Sequence, residues 1–242
     1  MHGMVFQGKC GTFFAPLLFN FSMHTLMLSL DQKIIDPQSA VASRMRAYEH
    51  PGDLYILVPA SHDVETTLSE HVRVWWIAGK KIVQFLRCMR RGSDLISRFG
   101  IDCVTSQDPF FLGLIALILH WFSGVRVEIQ VHGDFYGSSY YRRSGLGNWI
   151  RFYLGKFVLR RADRVRVVSL RVQKSIIAQG IPEQRIVVRP VAVDVATIVQ
   201  YQSQWDVHER YPQYRKIFLV LGRFDDVKNI PWLLRVFRAI VD

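Results

Sequence analysis

Cysteine is scarce in this sequence. Cys10, Cys88 and Cys103 are odd in number, lie far apart and form no C-x-x-C pair. A disulfide framework needs paired cysteines, and a structural zinc site needs clustered ligands. The pattern argues against both, and a reducing cytoplasm is the expected compartment.

Acidic residues are also few. The chain has 20 Asp and Glu against 31 Lys and Arg, a net charge of +11, and the excess is spread along its length. Such an excess indicates an anionic partner, which is nucleic acid, an anionic membrane or a phosphorylated small molecule. Arg160 and Arg161 fall at a predicted helix end, where cations complement the helix dipole, so they favour a solvated helix end over a nucleic-acid contact.

A stretch without formal charge runs from Gly11 to Leu30 and has to be compared with a membrane span. Polar residues and a proline interrupt it, no cleavage site is evident, and its last part is typical of a short buried strand. We therefore expect neither a span nor a signal peptide. Residues 1–24 are expected to be a tail outside the fold, or upstream sequence included by a misassigned start.

Several catalytic motifs are missing. Gly145 and Gly147 form a G-x-G, but Ile150 replaces the third glycine and no strand precedes them, so the dinucleotide-binding interpretation fails. The lysines after Gly79 have Val74 where a phosphate loop requires glycine. Neither G-x-S-x-G nor H-E-x-x-H occurs, which removes the commonest hydrolase and zinc-protease signals.

Short apolar runs alternate with longer segments of helical period. In 146–161, apolar residues recur at intervals of three and four, the spacing of a helix with one buried face; they are Ile150, Tyr153, Leu154, Phe157 and Val158. Such alternation indicates a mostly parallel sheet covered by helices on both sides, so the predicted fold class is α/β. The predicted strands are 25–30, 53–59, 71–77, 102–106, 126–132, 164–169, 185–190 and 216–222, and the predicted helices are 38–48, 80–99, 109–122, 146–161, 170–179 and 230–241.

The run VEIQVHGDFYG, residues 127–137, places His132, Gly133 and Asp134 directly after a predicted strand. Ligands of parallel α/β folds bind beyond the carboxyl ends of the strands, so we expect these residues on the rim of such a crevice. Gly133 would allow close backbone approach and Gly137 a tight turn. The alternative is structural, with His132 satisfied within a turn and Asp134 capping the next segment.

A second run, residues 218–237, leads from a predicted strand through Gly222 and Arg223 to Lys228 and a helix with Pro231 in its first turn. A glycine-opened loop that carries two cations near a helix N-terminus suits a diphosphate. The alternative is an exposed loop with ordinary surface cations.

Five segments in order resemble the glycosyltransferases of family 4, which have the GT-B architecture of two facing Rossmann-like domains. The resemblance covers about residues 25–242, and its specificity lies in the order and spacing of the segments. They are TSQDPFFLGLIAL (105–117), VEIQVHGDF (127–135), RRADRVRVVSLRVQKSI (160–176), GIPEQRIVVRPVAVDV (180–195) and LGRFDDVKNIPWLLRVF (221–237).

The resemblance implies retaining transfer of a sugar from a nucleotide-sugar donor, with no cofactor and no obligatory metal. It places His132 near the transferred sugar and Asp108 at the lip of the neighbouring strand, and these are the expected catalytic residues. Arg223 and Lys228 are expected to contact the donor diphosphate. The further expected substrate- or donor-binding residues are Gly133 and Asp134.

The expected partners follow from the same resemblance. The acceptor is a carbohydrate or a polyprenyl-phosphate-linked sugar, as in polysaccharide biosynthesis. No nucleic acid is expected, because anionic donors and acceptors account for the positive charge. The expected location is the cytoplasm, and peripheral contact with the anionic inner face of a membrane is left open.

Two departures from the family pattern bear on the domains. No glycine follows the first predicted strand, so ligand contacts near residues 31–40 are not carried over. The second domain has one predicted strand and one helix and lacks the family's downstream glutamates, so we expect a C-terminally truncated chain that is inactive alone. The expected domains are a tail (1–24), an acceptor-binding domain (25–196), a linker (197–215) and the start of a donor-binding domain (216–242).

Two other hypotheses stay open. A non-catalytic basic α/β module would bind nucleic acid or an anionic membrane, and its DNA binding would be sequence-independent with a steep salt dependence. A sugar-nucleotide epimerase of GT-B shape would share the fold but not the reaction. Nucleotide-sugar binding that depends on Arg223 would favour the transferase or the epimerase over the basic module.

Overall fold

The computed structural model describes most of the chain after the expected tail. Cys10 and the whole run 1–22 lie outside the described residues, and so does Arg223. The described residues are 23–47, 52–137, 139–191, 193, 195–203, 205–222, 224 and 228–241.

Eight strands form one sheet in the order β3-β4-β2-β1-β5-β6-β7-β8. All neighbouring pairs are parallel except the hairpin of β3 and β4, which is antiparallel and lies at one edge. The strands are β1 (Thr25–Leu28), β2 (Leu54–Ala60), β3 (Val64–Ser69), β4 (Val72–Ala78), β5 (Cys103–Ser106), β6 (Arg126–Val131), β7 (Arg164–Val167) and β8 (Ile186–Val188).

Helices connect the other parallel strands, whereas the chain passes from β2 to its parallel neighbour β4 through strand β3. Two short 3-10 helices, Gln32–Ile35 and Glu183–Arg185, precede α1 and β8. The α-helices are α1 (Ala40–Arg46), α2 (Lys81–Phe99), α3 (Phe111–Ser123), α4 (Ser139–Arg143), α5 (Leu146–Arg161), α6 (Leu170–Ile177), α7 (Val195–Gln200), α8 (Val207–Arg210) and α9 (Ile230–Val241). The α/β, Rossmann-like fold class predicted from the sequence is confirmed.

The two faces of the sheet carry different cores. Alternate residues of a strand point to opposite faces, so Leu26 and Leu28 join the larger core beneath α2, α3, α5 and α6 while Met27 joins the smaller one. The smaller core lies beside α1 and contains Met45 and Ile56. It involves β1, β2 and β4, so on β5 to β7 the same face is left for polar side chains.

Three details differ from the sequence-based prediction. Strand β3 was not predicted, because an edge strand with one solvated face has a weak apolar signal. The outward residues Ile150 and Tyr153 of α5 were predicted to be buried but are 52% and 45% exposed. The predicted strand 216–222 is wrong, since these residues have no strand pairing and Leu221 is 92% exposed.

The chain divides into two compact units, Met1–Val191 and Ala192–Asp242. The first contains the whole sheet. The described part of the second contains α7, α8 and α9, with the ring of Phe218 packed edge-on against Phe237 at 5.0 Å between centroids. The division into an acceptor-binding domain, a linker and a donor-binding domain stays a prediction.

Candidate functional site

The carboxyl end of β6 borders a cavity of about 270 Å³. His132 is the first residue after the strand and lines the cavity together with Gln130 and Glu128. These residues alternate with the core-facing valines and isoleucine of β6, so all three project to the α1 side of the sheet. Arg44 and Met45 of α1 line the cavity opposite them.

A hydrogen-bonded chain of buried polar side chains forms the sheet wall of this cavity. Gln130 Nε2 donates to Thr105 Oγ1 at 2.9 Å, and Arg166 Nη1 donates to Gln130 Oε1 at 3.0 Å. The three residues come from β6, β5 and β7 and are 5%, 5% and 7% exposed. Buried polar groups of this kind persist because they satisfy one another. These bonds hold the three side chains to one another, and the wall presents polar atoms where a helix-covered sheet would present aliphatic ones.

The cavity has an uneven electrostatic character. Partial burial, together with the charges of Arg166 and Arg44, lowers the pKa of His132 below its ordinary value, so its imidazole is neutral at pH 7. Burial raises the pKa of Glu128, against the opposing effect of Arg166. A neutral imidazole can donate one hydrogen bond and accept another, which suits a hydroxyl ligand.

The segment between β1 and α1 takes the place of the missing glycine-rich loop. Asp31 accepts a hydrogen bond from the Lys33 N–H at 3.0 Å and caps the 3-10 helix that follows. Asp31 also lines the cavity with Arg44. This segment therefore supplies one carboxylate, that of Asp31, to the cavity.

Asp108 lies after the neighbouring strand β5 but does not line the cavity of His132. Its Oδ1 accepts from the Phe110 N–H at 2.7 Å, beside the start of α3. Burial raises the pKa of Asp108, and hydrogen bonds from the backbone of Phe110, Leu112 and Phe111 oppose that rise. The structure thus gives Asp108 a helix-capping environment, and it does not bring the two expected catalytic side chains into one cavity.

The loop after His132 is held by Asp134. Its carboxylate accepts from Arg171 Nε at 3.0 Å and from the Gly137 N–H at 2.7 Å. Burial acts to raise the pKa of Asp134, but hydrogen bonds from Ser175, Gly137 and Arg171 lower it below its ordinary value. A Cβ at Gly137 would collide with this carboxylate, so the turn requires glycine there. Asp134 thus connects this loop to α6.

Aromatic rings anchor the same loop. Phe135 packs edge-on against Phe110 with 5.1 Å between centroids, and Tyr136 packs against Phe152 of α5 at the same spacing. A Cβ at Gly133 would lie 3.1 Å from the Phe135 ring. The aromatic pair after His132 therefore fixes the rim, and Gly133 leaves room for one of its rings.

The expected diphosphate ligands belong to the second unit. Arg223 lies outside the described residues. The Lys228 side chain lies against Gly222, with methylene carbons 3.7 Å from where a Cβ of that glycine would be. Their roles stay predictions.

The described residues include two thiols but no metal-ligand cluster and no membrane-length apolar helix. No cluster of three or more metal-ligating residues occurs among them. Cys88 and Cys103 are free, and burial raises the pKa of both thiols to about 12. None of the described helices is both long and apolar enough to cross a bilayer.

The sequence of residues 41–197 matches the model of Glycosyltransferase Family 4, more than half of the chain. The chain belongs to this glycosyltransferase family. The match includes β2 to β8 and the loop of His132. A comparison with curated proteins finds no sequence match.

Solved structures agree with the fold of this family 4 chain. Sucrose-phosphate synthase from Thermosynechococcus elongatus is 13% identical with a TM-score of 0.56, over 72% of this chain and 49% of that chain. Anabaena HepE, in complex with UDP and glucose, is 12% identical with a TM-score of 0.54, over 79% and 50%. S. aureus MnaA with UDP is 11% identical with a TM-score of 0.50, over 78% and 50%. This chain spans about half the length of these three structures, and the likeness shows the fold.

Several residues of the cavity were not predicted as site residues. The pattern that reveals them is the alternation of β6, in which Glu128 and Gln130 interrupt an otherwise apolar strand. A parallel strand covered on both faces is usually apolar throughout, so polar residues at every second position indicate an uncovered face. Thr105 and Arg166 on the flanking strands continue the same row.

Proposed function

We propose that the protein transfers a sugar from a nucleotide-sugar donor to a carbohydrate or lipid-linked acceptor, by the retaining chemistry of its family. The observation that carries the proposal is the position of His132. It follows β6 within the family-matched region and lines a polar cavity at the carboxyl end of the sheet. Ligands of Rossmann-like sheets bind at this edge.

The donor proposal rests on charge and on the relatives. HepE is described in complex with UDP and glucose, and MnaA with UDP. A net charge of +11 suits an anionic diphosphate, and Lys228 and Arg223 are our proposed ligands for it. We include no metal or cofactor in the reaction.

The cavity suits part of a carbohydrate. Sugar hydroxyls donate and accept hydrogen bonds, and Gln130, Glu128 and His132 offer both kinds of partner along one strand. In this proposal the neutral His132 hydrogen-bonds a hydroxyl of the sugar or its acceptor. Asp108 is the second proposed catalytic residue. It lies outside this cavity, at the start of α3, where it accepts a hydrogen bond from the Phe110 N–H.

The proposed setting is the cytoplasm. Two buried free thiols, Cys88 and Cys103, fit a reducing compartment. A lipid-linked acceptor would bring the protein to the inner face of a membrane, where its role would be polysaccharide biosynthesis.

The direct test is sugar transfer by the gene product that contains these residues. We expect it to transfer label from at least one of a panel of radiolabelled nucleotide sugars to a carbohydrate or polyprenyl-phosphate-linked acceptor. Donor turnover without transfer, giving an epimerised nucleotide sugar, would contradict the proposal. Sequence-independent DNA binding with no nucleotide-sugar binding would favour the basic module instead.

A further inference from the structure

Helix α5 is apolar on two opposite sides. Its inner side packs into the core through Phe152, Val158 and Leu159. Its outer side exposes four large side chains that no described element covers. These are Leu146, Trp149, Ile150 and Tyr153, which are 75%, 48%, 52% and 45% exposed.

The exposed residues form one stripe. Their spacing of three, four and seven places them on a single face of the helix, and the rings of Trp149 and Tyr153 lie 4.8 Å apart. The stripe continues through Phe157 to Trp121 of α3, whose rings meet edge-on at 6.3 Å. We call these six residues the α5 outer face: Leu146, Trp149, Ile150, Tyr153, Phe157 and Trp121.

Cations surround the α5 outer face without acidic neighbours in the sequence. No Asp or Glu occurs between Asp134 and Asp163, a stretch that holds six Lys and Arg. Arg142 and Arg143 precede the stripe in α4, and Arg161 ends it with its guanidinium 3.8 Å from the Phe157 ring centre. The charge of this face is therefore uncompensated along its own segment.

A cavity of about 230 Å³ opens beside Tyr153. Arg142 and Lys156 line it, and Lys156 Nζ donates to Gln179 Oε1 at 3.3 Å. Two cations and an amide around a recess of this size suit a phosphate group. Tyr153 belongs both to the lining of this recess and to the apolar stripe. A lipid could therefore place its phosphate in the recess and its acyl chains against the stripe.

We propose that the α5 outer face docks on an anionic membrane surface. Trp and Tyr concentrate at membrane interfaces, and an apolar helix face flanked by Arg is the pattern of helices that lie in that interface. Leu146 and Ile150 offer nothing for base stacking or phosphate contact, which favours a membrane over nucleic acid. The inference goes beyond the proposed sugar transfer and does not depend on it.

Another exposed apolar group occurs at the start of α2 and serves as the matched control. Ile82 and Leu86 are 78% and 58% exposed and also stand four residues apart. Here, however, the cation Arg87 is paired with Asp63 at 2.9 Å. The basic charge of α2 is thus partly neutralised, and the exposed pair has no Trp or Tyr beside it in this helix, since Phe85 packs inward against Phe111.

The test is co-sedimentation with phosphatidylcholine vesicles, with and without phosphatidylglycerol. The 242-residue chain should bind the anionic vesicles and not the zwitterionic ones. The double variant Trp149→Ser, Tyr153→Ser should lose about tenfold or more in affinity. The double variant Ile82→Ser, Leu86→Ser should bind like the unchanged chain. Circular dichroism checks that both variants are folded.

A charge variant and a conservative variant complete the test. Removing the cations by Arg142→Gln and Arg143→Gln should weaken binding by about fivefold for each arginine, and added salt should weaken the unchanged chain similarly. Brominated phosphatidylglycerol should quench tryptophan emission, and Trp149→Phe, which keeps an apolar aromatic ring but removes the indole fluorophore, should remove much of that quenching.

Four results would each overturn the proposal. They are no binding of the chain to anionic vesicles, unchanged vesicle binding in the Trp149 and Tyr153 double variant, an equal loss in the α2 control, and lipid-free dimerisation that the Trp149 and Tyr153 double variant abolishes. The assay contains no sugar, so its failure leaves the proposed transfer untouched.

Discussion

Arg166 donates a hydrogen bond from Nη1 to Oε1 of Gln130, over 3.0 Å and across neighbouring strands. Both side chains are buried, and both line the cavity that His132 borders. An amide that accepts from a guanidinium is oriented by it, so Gln130 keeps its NH2 group turned towards Thr105. The position of Arg166 in turn sets the electrostatic field at His132.

The first prediction concerns the titration of His132. Partial burial and the charges of Arg166 and Arg44 hold its pKa below the ordinary 6.5. Arg166→Gln removes one of these charges, so the pKa of His132 should rise towards 6.5. NMR titration of the imidazole protons measures it. Arg185→Gln, on the 3-10 helix before β8, is the control and should leave the His132 titration unchanged.

The same shift predicts how stability depends on pH. The unfolded imidazole binds protons below about 6.5 and the folded one only at lower pH, so between the two values the unfolded chain binds more protons. His132 therefore lowers the free energy of unfolding as the pH falls below 6.5, and above 6.5 it makes no pH-dependent contribution. Urea unfolding at several pH values gives the free energy of unfolding as a function of pH. In His132→Ala this free energy should fall less steeply below pH 6.5 than in the unchanged protein. An unchanged slope would contradict a lowered pKa.

The second prediction concerns turnover. Removing one positioned polar or acid-base group costs about tenfold to a thousandfold in rate, and we expect His132→Ala, made in the full-length gene product that contains these residues, to fall in that range. The residue lies on an exposed rim, so the variant should fold. His62→Ala, an exposed histidine bonded to Ser61, is the matched control. Transfer of radiolabelled sugar at a near-normal rate by His132→Ala would remove His132 from the mechanism.

The fold and the site differ in how far the sequence predicts them. Periodicity located seven of the eight strands in the described part of the chain, and the long helices, because apolar spacing reports local backbone geometry. It also placed His132 at the carboxyl end of β6. It did not identify the residues that line the cavity with His132, because those depend on which face of the sheet the connecting helices leave uncovered. It also predicted a strand at 216–222, where the apolar residues have the right composition but no paired neighbour.

The third prediction separates the two partners of the loop after His132. Asp134→Ala removes several hydrogen bonds from a largely buried carboxylate and should lower the free energy of unfolding by about 1 to 3 kcal/mol. Arg171→Ala should cost at most about 1 kcal/mol, because the Arg171 side chain is 81% exposed. Thermal unfolding of both variants measures the difference. Equal losses would show that the ion pair, rather than the Gly137 and Ser175 bonds, holds the loop.

The fourth prediction concerns the donor. A charge-assisted hydrogen bond is worth roughly 1.5 to 3 kcal/mol, so Lys228→Ala or Arg223→Ala should weaken nucleotide-sugar binding by about one to two decades. Acceptor binding should change little. Lys216→Ala, an exposed lysine in the same unit, is the control. Calorimetry on the intact gene product that finds equal donor affinity in all three variants would make Lys228 and Arg223 ordinary surface cations.

The last prediction compares two glycines of α5. A Cβ at Gly155 would collide with the Tyr136 hydroxyl and lie 3.1 Å from the Phe110 ring, whereas a Cβ at Gly147 would meet nothing within 4 Å. Gly155→Ala should therefore lower the free energy of unfolding by about 1 to 3 kcal/mol, because the helix has to move away from the aromatic residues that anchor the rim.

Gly147→Ala should raise the free energy of unfolding by about 0.4 to 1 kcal/mol, since alanine restricts the unfolded chain and adopts the helix without strain. The two changes are chemically identical and stand on one helix, so helix propensity cancels in the comparison. Urea unfolding of both variants gives the two signs. A stabilising Gly155→Ala would mean that α5 does not approach Tyr136 closely, and that the rim of the His132 cavity is not anchored through this helix.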